Sequence, residues 1–505
     1  MELSVVKNAK RNMFFGILNR FVALLCPFVT RTIIQYVLGE QYLGISSLFS
    51  SILSVLSLTE LGFGSAIIYS MYKPVAEGNT RLVNALLNFY RKVYALIGCA
   101  ILVIGLVLIP FLPHLITGDY PPDINLTVLY LVYLGNAAIS YFMYAYMSSL
   151  IVVYQRDDIS SRTNMFVTLL LAASQIFILV RFHNYLLFTL MMPIFTAANN
   201  IRIALVVKKM FPQYHCYGRI PREILHDMKK QIAGAFLSRV CGVTRNSFDS
   251  ICTSAFLGLS MTAMYNNYYY IMSSVVGSLS IFLTSLTGGI GNHVVTKSRE
   301  ENFQEMKNLD FVYMWIAGWS AICILCLSQP FMRLWMGEKM QLPNSVVVLL
   351  CIYFYFLNVG NVRSIYSTTN GLWWHHRWRG IVEALVNIVL NILLAKYWGV
   401  HGIIMATILT IFFFSTLWSA QIVFKHYFGV QYMWSYFRYH AVYAVVTVVL
   451  AVMTWTVCSL LPDYGEIGNL ILRATVCVVL PNVFYVLLYH KLLVFKKMKD
   501  IILRK

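Results

Sequence analysis

Charge is what this 505-residue sequence has least of. Only 12% of its residues are Asp, Glu, Lys or Arg, about half the share of a typical soluble domain, roughly 25%. Acid is scarcer still, with 20 Asp and Glu against 39 Lys and Arg. So little charge beside 59% apolar residues excludes a soluble enzyme with a membrane anchor, a secreted domain and a disordered scaffold. Catalytic signatures are missing too: there is no H-E-x-x-H, no P-loop and no G-x-S-x-G. A membrane enzyme that builds sugar polymers commonly needs a sizeable aqueous loop to hold acceptor and catalytic carboxylates. The longest outside loop expected here is about a dozen residues. The sequence therefore reads as a non-enzyme, with no catalytic residue and no cofactor. A cleavable leader is not expected, because the first apolar run is too long and contains Arg20 and Arg31. The ten cysteines are scattered. Cys323-Ile-Leu-Cys326 has a redox or metal spacing but no His or carboxylate cluster near it in sequence, so it reads as packing and no metal ligand is assigned.

What is present is apolar length. A helix needs about 20 mainly apolar residues to cross a bilayer. Such runs occur at roughly 13–37, 43–69, 89–112, 125–153, 163–180, 185–207, 231–257, 262–290, 310–330, 343–369, 380–397, 402–424, 441–461 and 470–490. Fourteen spans are expected, in an all-α polytopic membrane protein. Barrel strands alternate over about 10 residues, and these continuous runs do not. With the N-terminus inside, 28 basic residues fall on the cytoplasmic side and 4 outside, a strong positive-inside bias. Both termini are then cytoplasmic. Most of the +19 net charge is topology, and no nucleic-acid partner is implied. The Trp373–Arg379 stretch reads as an interfacial belt, and the basic tail Lys491–Lys505 as a helix touching anionic lipid.

The chain repeats itself weakly. A shift of 219 residues places Leu38-Gly39 on Leu257-Gly258 and Arg20 on Arg239. A shift of 222 places Tyr133 and Asn136 on Tyr355 and Asn358. Six spans per repeat keep both repeats in the same orientation, as parallel repeats. The expected organisation is an N-lobe over 1–207, a basic linker over 208–230, a C-lobe over 231–424, and two further spans with a tail over 425–505.

Ionised side chains at mid-membrane cost about 2.5–3.5 kcal/mol on the insertion scale and normally face a bundle interior or wet cavity. Ten are expected within the spans: Arg20, Arg31, Arg202, Arg239, Arg245, Arg363 and Arg473 against Glu60, Asp249 and Glu383. All the bases are arginine, whose fork grips phosphate in two places. Arg202 can snorkel inward, and Arg473 lies outside the repeats. Arg245 and Asp249, four apart, suit a structural ion pair as well as a site. Glu60 opens Glu60-Leu-Gly-Phe-Gly64 and suits either a capping role or a site. Arg20, Arg31, Arg239, Arg245 and Arg363 are the substrate-binding candidates, and Glu60, Asp249 and Glu383 the coupling or gating candidates. A cleft with surplus arginine favours an anion, with phosphate or pyrophosphate the best fit.

The motifs Arg31-x6-Leu38-Gly39-x2-Tyr42-x-Gly44-Ile45, Leu58-x-Glu60-Leu-Gly62, Asp249-x8-Gly258-x6-Tyr265 and Glu383-x3-Asn387-x3-Asn391-x7-Gly399-x2-Gly402-x3-Ala406-Thr407 resemble polysaccharide-repeat flippases of the MOP superfamily, the Wzx-type O-antigen and capsule exporters. The acidic residue before Leu-Gly is often Asp in that group; here it is Glu60. The resemblance implies a V-shaped pair of six-helix lobes in a bacterial plasma membrane. It implies movement of undecaprenyl-pyrophosphate-linked oligosaccharide between leaflets by alternating access, driven by a proton, a sodium ion or the membrane potential. Membrane lipids, a polysaccharide polymerase and glycosyltransferases are the partners it implies. The competing readings are a cation-coupled multidrug antiporter of the same superfamily, a membrane polymerase or ligase, and a scaffold without transport.

Overall fold

The structure is a computed structural model that describes residues 5–57, 63–491 and 495. Glu60 and nearly all of the basic tail lie outside the described residues, as do the side chains of most of 223–241, Arg239 among them. Among the described residues all regular structure is helical. The helices are α1 (Val5–Val37), α2 (Glu40–Leu56), α3 (Phe63–Ala76), α4 (Thr80–Leu108), α5 (Leu126–Phe142), α6 (Ser148–Val153), α7 (Asp157–Phe182), α8 (Tyr185–Met210), α9 (Arg222–Thr296), α10 (Arg299–Met336), α11 (Asn344–Asn358), α12 (Asn361–Thr369), α13 (Arg377–Thr410), α14 (Ser419–Val423), α15 (Met433–Ser459) and α16 (Gly465–Tyr489).

Ten of these stretches are long and apolar enough to cross a membrane, or eleven when the pair Leu126–Phe142 and Ala145–Val153, bent by 44°, is counted as one. Two of the ten are double. α9 breaks at Gly258 and α13 at Gly399, each in a non-helical conformation. Dividing those two and counting the bent pair as one gives thirteen of the expected fourteen segments; the span expected over 43–69 runs through residues 58–62, which lie outside the described residues. The chain is a multi-pass membrane protein.

The glycines explain the breaks. Gly39 (φ 107°, ψ 174°) precedes α2, and Gly258 (φ 83°, ψ 176°) divides α9. This backbone region is essentially open only to glycine, and the two positions are the pair matched by the 219-residue shift. Gly118 (φ 81°) and Gly337 (φ 87°) are separated by the same interval. Further along, Tyr144 and Gly360, Gln155 and Gly371, and His183 and Gly399 pair at a shift of 216, all with positive φ. The repeat is therefore written in the backbone turns more legibly than in side chains. It also corrects one register. The breaks that bracket α5 demand shifts of 219 and 216, so the match of Tyr133 and Asn136 to Tyr355 and Asn358 is displaced by about one helical turn.

By compactness the chain divides into Met1–Ala263 and Met264–Lys505, not within 208–230. The first leg of α9 belongs to the first unit because it is bonded there. Ser254 donates to the Leu115 carbonyl at 2.8 Å, and Thr117 donates through its amide to Ser254 O at 3.1 Å and through Oγ1 to Ala255 O at 2.5 Å. A side chain at Gly44 would put Cβ against the Leu259 carbonyl, so α2 and α9 meet backbone to backbone.

Candidate functional site

In the first unit Arg20 and Arg31 lie on one face of α1. Arg20 and Arg31 are eleven residues apart, which returns to within about 20° on a helix of 3.6 residues per turn. Arg20 is exposed, and Arg31 is half-buried. Arg31 lies within electrostatic reach of the Tyr133 and Tyr185 hydroxyls. These hydroxyls are 3.2 Å apart; Tyr133 donates to Ser46 at 3.1 Å, and Tyr185 donates to the Tyr42 carbonyl at 3.2 Å. Tyr42 in turn donates to Asp123 at 2.6 Å. A phenolic girdle from α2, α5 and α8 thus holds the ground around Arg31. The Tyr42 of the sequence motif belongs to it.

The first leg of α9 is unusually polar for a membrane segment. Arg245 is 9% exposed and Asp249 0%, and Thr244, Ser247, Ser250, Thr253 and Ser254 are all buried with them. Thr253 donates to the Asp249 carbonyl at 2.7 Å. A helix that buries this many hydroxyls beside two ionisable groups has a polar face turned inward, as intramembrane charge requires.

The second unit brings Arg363 and Glu383 into one network, and adds residues that the sequence reading assigns elsewhere. Residues Ile411–Trp418 form a π-helix, a rare widening of the ordinary ladder, and two of its carbonyls face Arg363. Arg363 takes them: its Nη1 donates to Thr416 O at 3.2 Å and to the Tyr436 hydroxyl at 3.0 Å, and its Nη2 donates to Ser415 O at 2.9 Å. The guanidinium also lies 5.1 Å from the Tyr436 ring centre. Gly360 makes room, since a Cβ there would stand 2.7 Å from Arg363 Nη2. Ser415 Oγ donates to both Glu383 oxygens, at 2.9 and 3.1 Å, and accepts from Arg379 at 3.1 Å. Arg379 pairs with Glu383 at 2.5 Å. Arg363 is only 2% exposed, with its fork given to protein oxygens. The sequence places it among the phosphate-binding arginines; its surroundings are those of an internal tie.

Below Glu383 the motif continues as a ladder. Asn387 donates to Thr407 and Thr410 at 3.3 and 3.2 Å, and Asn391 donates to Asn387 at 3.2 Å. Gly402 lets the second leg approach, because a Cβ there would sit 2.1 Å from the Leu394 carbonyl. The signature from Glu383 to Thr407 is thus a helical hairpin clipped by amides.

Sequence reasoning misses several ionic residues. Asp310 is fully buried; Tyr439 donates to it at 2.7 Å, and His440 lies 3.4 Å away. Asp158, also fully buried, binds Arg11 and Arg156 at 3.0 Å each and Arg162 at 2.7 Å. In the sequence Arg156, Arg162 and Arg379 count as topology alone. The available signal is spacing: Asp158–Arg162 and Arg379–Glu383 are both i,i+4 pairs. The Trp373–Arg379 stretch divides in two. Trp373, Trp374 and Trp378 are exposed, with Arg377 4.3 Å over the Trp374 ring. His376 and Arg379 turn inward instead. Burial, with the nearby charges of Arg379 and Arg363, pushes the His376 imidazole down to about 3. The polar aromatics of α9 pack between helices: Tyr268 donates to Gln329 at 2.6 Å, and Tyr265 and Asn267 are buried.

Comparison with known proteins gives fold without close sequence kinship. No protein-family model matches the chain, and no curated protein matches it. A solved structure of the lipid II flippase MurJ in an inward closed conformation superposes with a TM-score of 0.68 at 13% identity, covering 95% of this chain and 99% of that one. A point mutant of the Vibrio cholerae MATE transporter VcmN gives 0.57 at 17% identity, covering 84% and 98%. A MOP superfamily transporter from Pyrococcus furiosus, described by a reverse polarity of its binding pocket, gives 0.53 at 14% identity, covering 83% and 95%. The fold is that of MOP-superfamily flippases and transporters, all-α and polytopic.

Proposed function

We propose that this chain is a flippase that moves a lipid-pyrophosphate-linked oligosaccharide across a bacterial plasma membrane by alternating access, for surface polysaccharide such as O-antigen or capsule. The observation that carries the reading is the length of the match. The lipid II flippase accounts for 95% of the chain, against 84% for the Vibrio cholerae transporter. The arginine bias of the spans supports the same cargo, because a guanidinium fork suits pyrophosphate. In this reading Arg20 and Arg31 receive the headgroup from one face of α1, and Arg239 and Arg245 bind the same cargo. Glu60, Asp249 and Glu383 serve coupling or gating, and Arg363 serves Glu383 through Ser415. The driving force is a proton, a sodium ion or the membrane potential, and no cofactor is needed. Polymerase and glycosyltransferases act on the oligosaccharide before and after transfer.

Translocation of a fluorescent undecaprenyl-pyrophosphate oligosaccharide by the purified chain in proteoliposomes tests the proposal. Transfer well above that of empty vesicles is expected. Efflux of cationic dyes without lipid transfer would establish the antiporter reading, which the buried carboxylates Asp249 and Glu383 favour. Extension of the glycan in detergent would establish the polymerase reading.

A further inference from the structure

Three cysteines far apart in sequence meet inside the second unit. The thiols of Cys326 on α10, Cys458 at the end of α15 and Cys477 on α16 all lie within 4.8 Å of one another, and all three residues are buried. Cys323, one turn before Cys326, is in hydrogen-bond contact with Cys477. Transport as proposed above uses none of them, and a packing role alone asks for no convergence of sulfur.

The framework around them is stiff. Trp319 donates to the Cys477 carbonyl at 2.8 Å and Trp315 to Asn482 at 2.9 Å. Gly318 admits Tyr485 and Thr447 so closely that a Cβ would stand 2.6 and 2.7 Å from their hydroxyls. The three helices carrying the sulfurs are therefore held together by contacts that do not involve sulfur. The cluster is also reachable. Cys326 and Cys458 line a cavity of about 580 Å³, with Arg333, Arg473, Asp463 and Glu466.

We propose that Cys326, Cys458 and Cys477 form a three-thiolate site for a soft, thiophilic d10 cation of the monovalent copper type. Thiolate–metal bonds are about 2.3 Å long, which sets the sulfurs of a trigonal centre about 4 Å apart, a spacing the cluster already allows. Soft thiolate sets select monovalent copper and zinc. Zinc asks for four tetrahedral donors, whereas three thiols approach one another mutually, and Cys323, though it touches Cys477, stands outside that set. The protons released on binding leave through the cavity. Arg473, within electrostatic reach of Cys458, offsets part of the negative charge of three thiolates on one monovalent ion. A disulfide would use two of the sulfurs and leave the third idle.

The full chain in detergent, reduced with a phosphine and kept free of oxygen, tests this. Monovalent copper is supplied as a chelator complex and retained copper is measured after desalting. One ion per chain is expected. Cys326→Ser, Cys458→Ser and Cys477→Ser are expected to lower retention at least tenfold, while Cys351→Ser, at a buried cysteine on α11, leaves it unchanged. If a serine variant fails to fold, the wild type decides: copper raises its melting temperature, and prior alkylation of its thiols removes the rise. Retention unchanged in the three variants overturns the proposal. So does zinc bound in place of copper, or a disulfide among the three with no metal retained.

Discussion

Arg31 and Arg363 carry the same group in different surroundings. Arg31 is half-buried among phenols, on a face of α1 it shares with the exposed Arg20. Arg363 is sealed in, and its fork is spent on two π-helix carbonyls and the Tyr436 hydroxyl. A buried guanidinium with both Nη atoms committed to protein oxygens has little left for a phosphate. The difference shows that burial and surroundings, and not residue type alone, decide whether a membrane arginine is a candidate grip. Asp158 and Glu383 teach the same lesson from the acid side. Asp158 is buried, but two of its three arginines, Arg11 and Arg162, keep 28% and 47% of their side chains exposed. Glu383 and Arg379 have 1% and 14%. The first is a surface clasp between helix ends, and the second an ion pair sealed inside the unit.

The sharpest way to break the comparison is to remove the sealed acid. Glu383→Ala leaves Arg379 buried without its partner, and breaking a buried pair costs about 3–5 kcal/mol. The variant should lose most of its yield and melt far earlier in detergent. A melting curve like that of the wild type would place the pair in water. Next is the hairpin that carries Glu383. Gly402→Ala drives a Cβ into the Leu394 carbonyl, and overpacking of this kind costs about 1–3 kcal/mol, read as a lower melting temperature.

A pH titration gives a smaller effect with a definite sign. His376, pushed down to about 3, stays neutral in the folded protein while the unfolded chain binds a proton below about 6.5. The unfolded state then holds more protons between those values, so stability falls as pH falls through that window. From pH 7 to pH 5 the loss is about 1–2 kcal/mol, and His376→Asn should flatten the melting temperature over that range. The smallest effect belongs to Arg20→Ala. An exposed position of this kind should stay within about 0.5 kcal/mol of the wild type, whatever it does to transport.

Much of the fold was legible because apolar length and turn formers are local signals. Thirteen of the fourteen runs reappear among the described residues, and Leu38-Gly39 and Leu257-Gly258 mark equivalent turns without any backbone angle. Side-chain registers were less legible. The Tyr133–Tyr355 match rests on identity, but identity is weak evidence on a helix when backbone breaks a turn away set the true interval. The ionic sites divide by burial, which sequence does not give. Arg379 looks like one more cytoplasmic base beside the Trp373–Trp374 belt, yet a helix can send Arg377 outward and Arg379 inward within one turn. Arg363 looks like a grip because a π-helix cannot be foreseen from Ile411–Trp418. Cys458 and Cys477 look scattered because their meeting with Cys326 is purely tertiary.

The central proposal is that Arg31 on α1 binds the anionic headgroup of the cargo. The most direct test compares Arg31→Ala with wild type for lipid-pyrophosphate oligosaccharide translocation in proteoliposomes, at matched reconstitution and matched melting temperature. The account predicts a loss of at least tenfold in transfer rate with the fold intact, partly restored by Arg31→Lys. Transfer at the wild-type rate by a folded Arg31→Ala protein would contradict it.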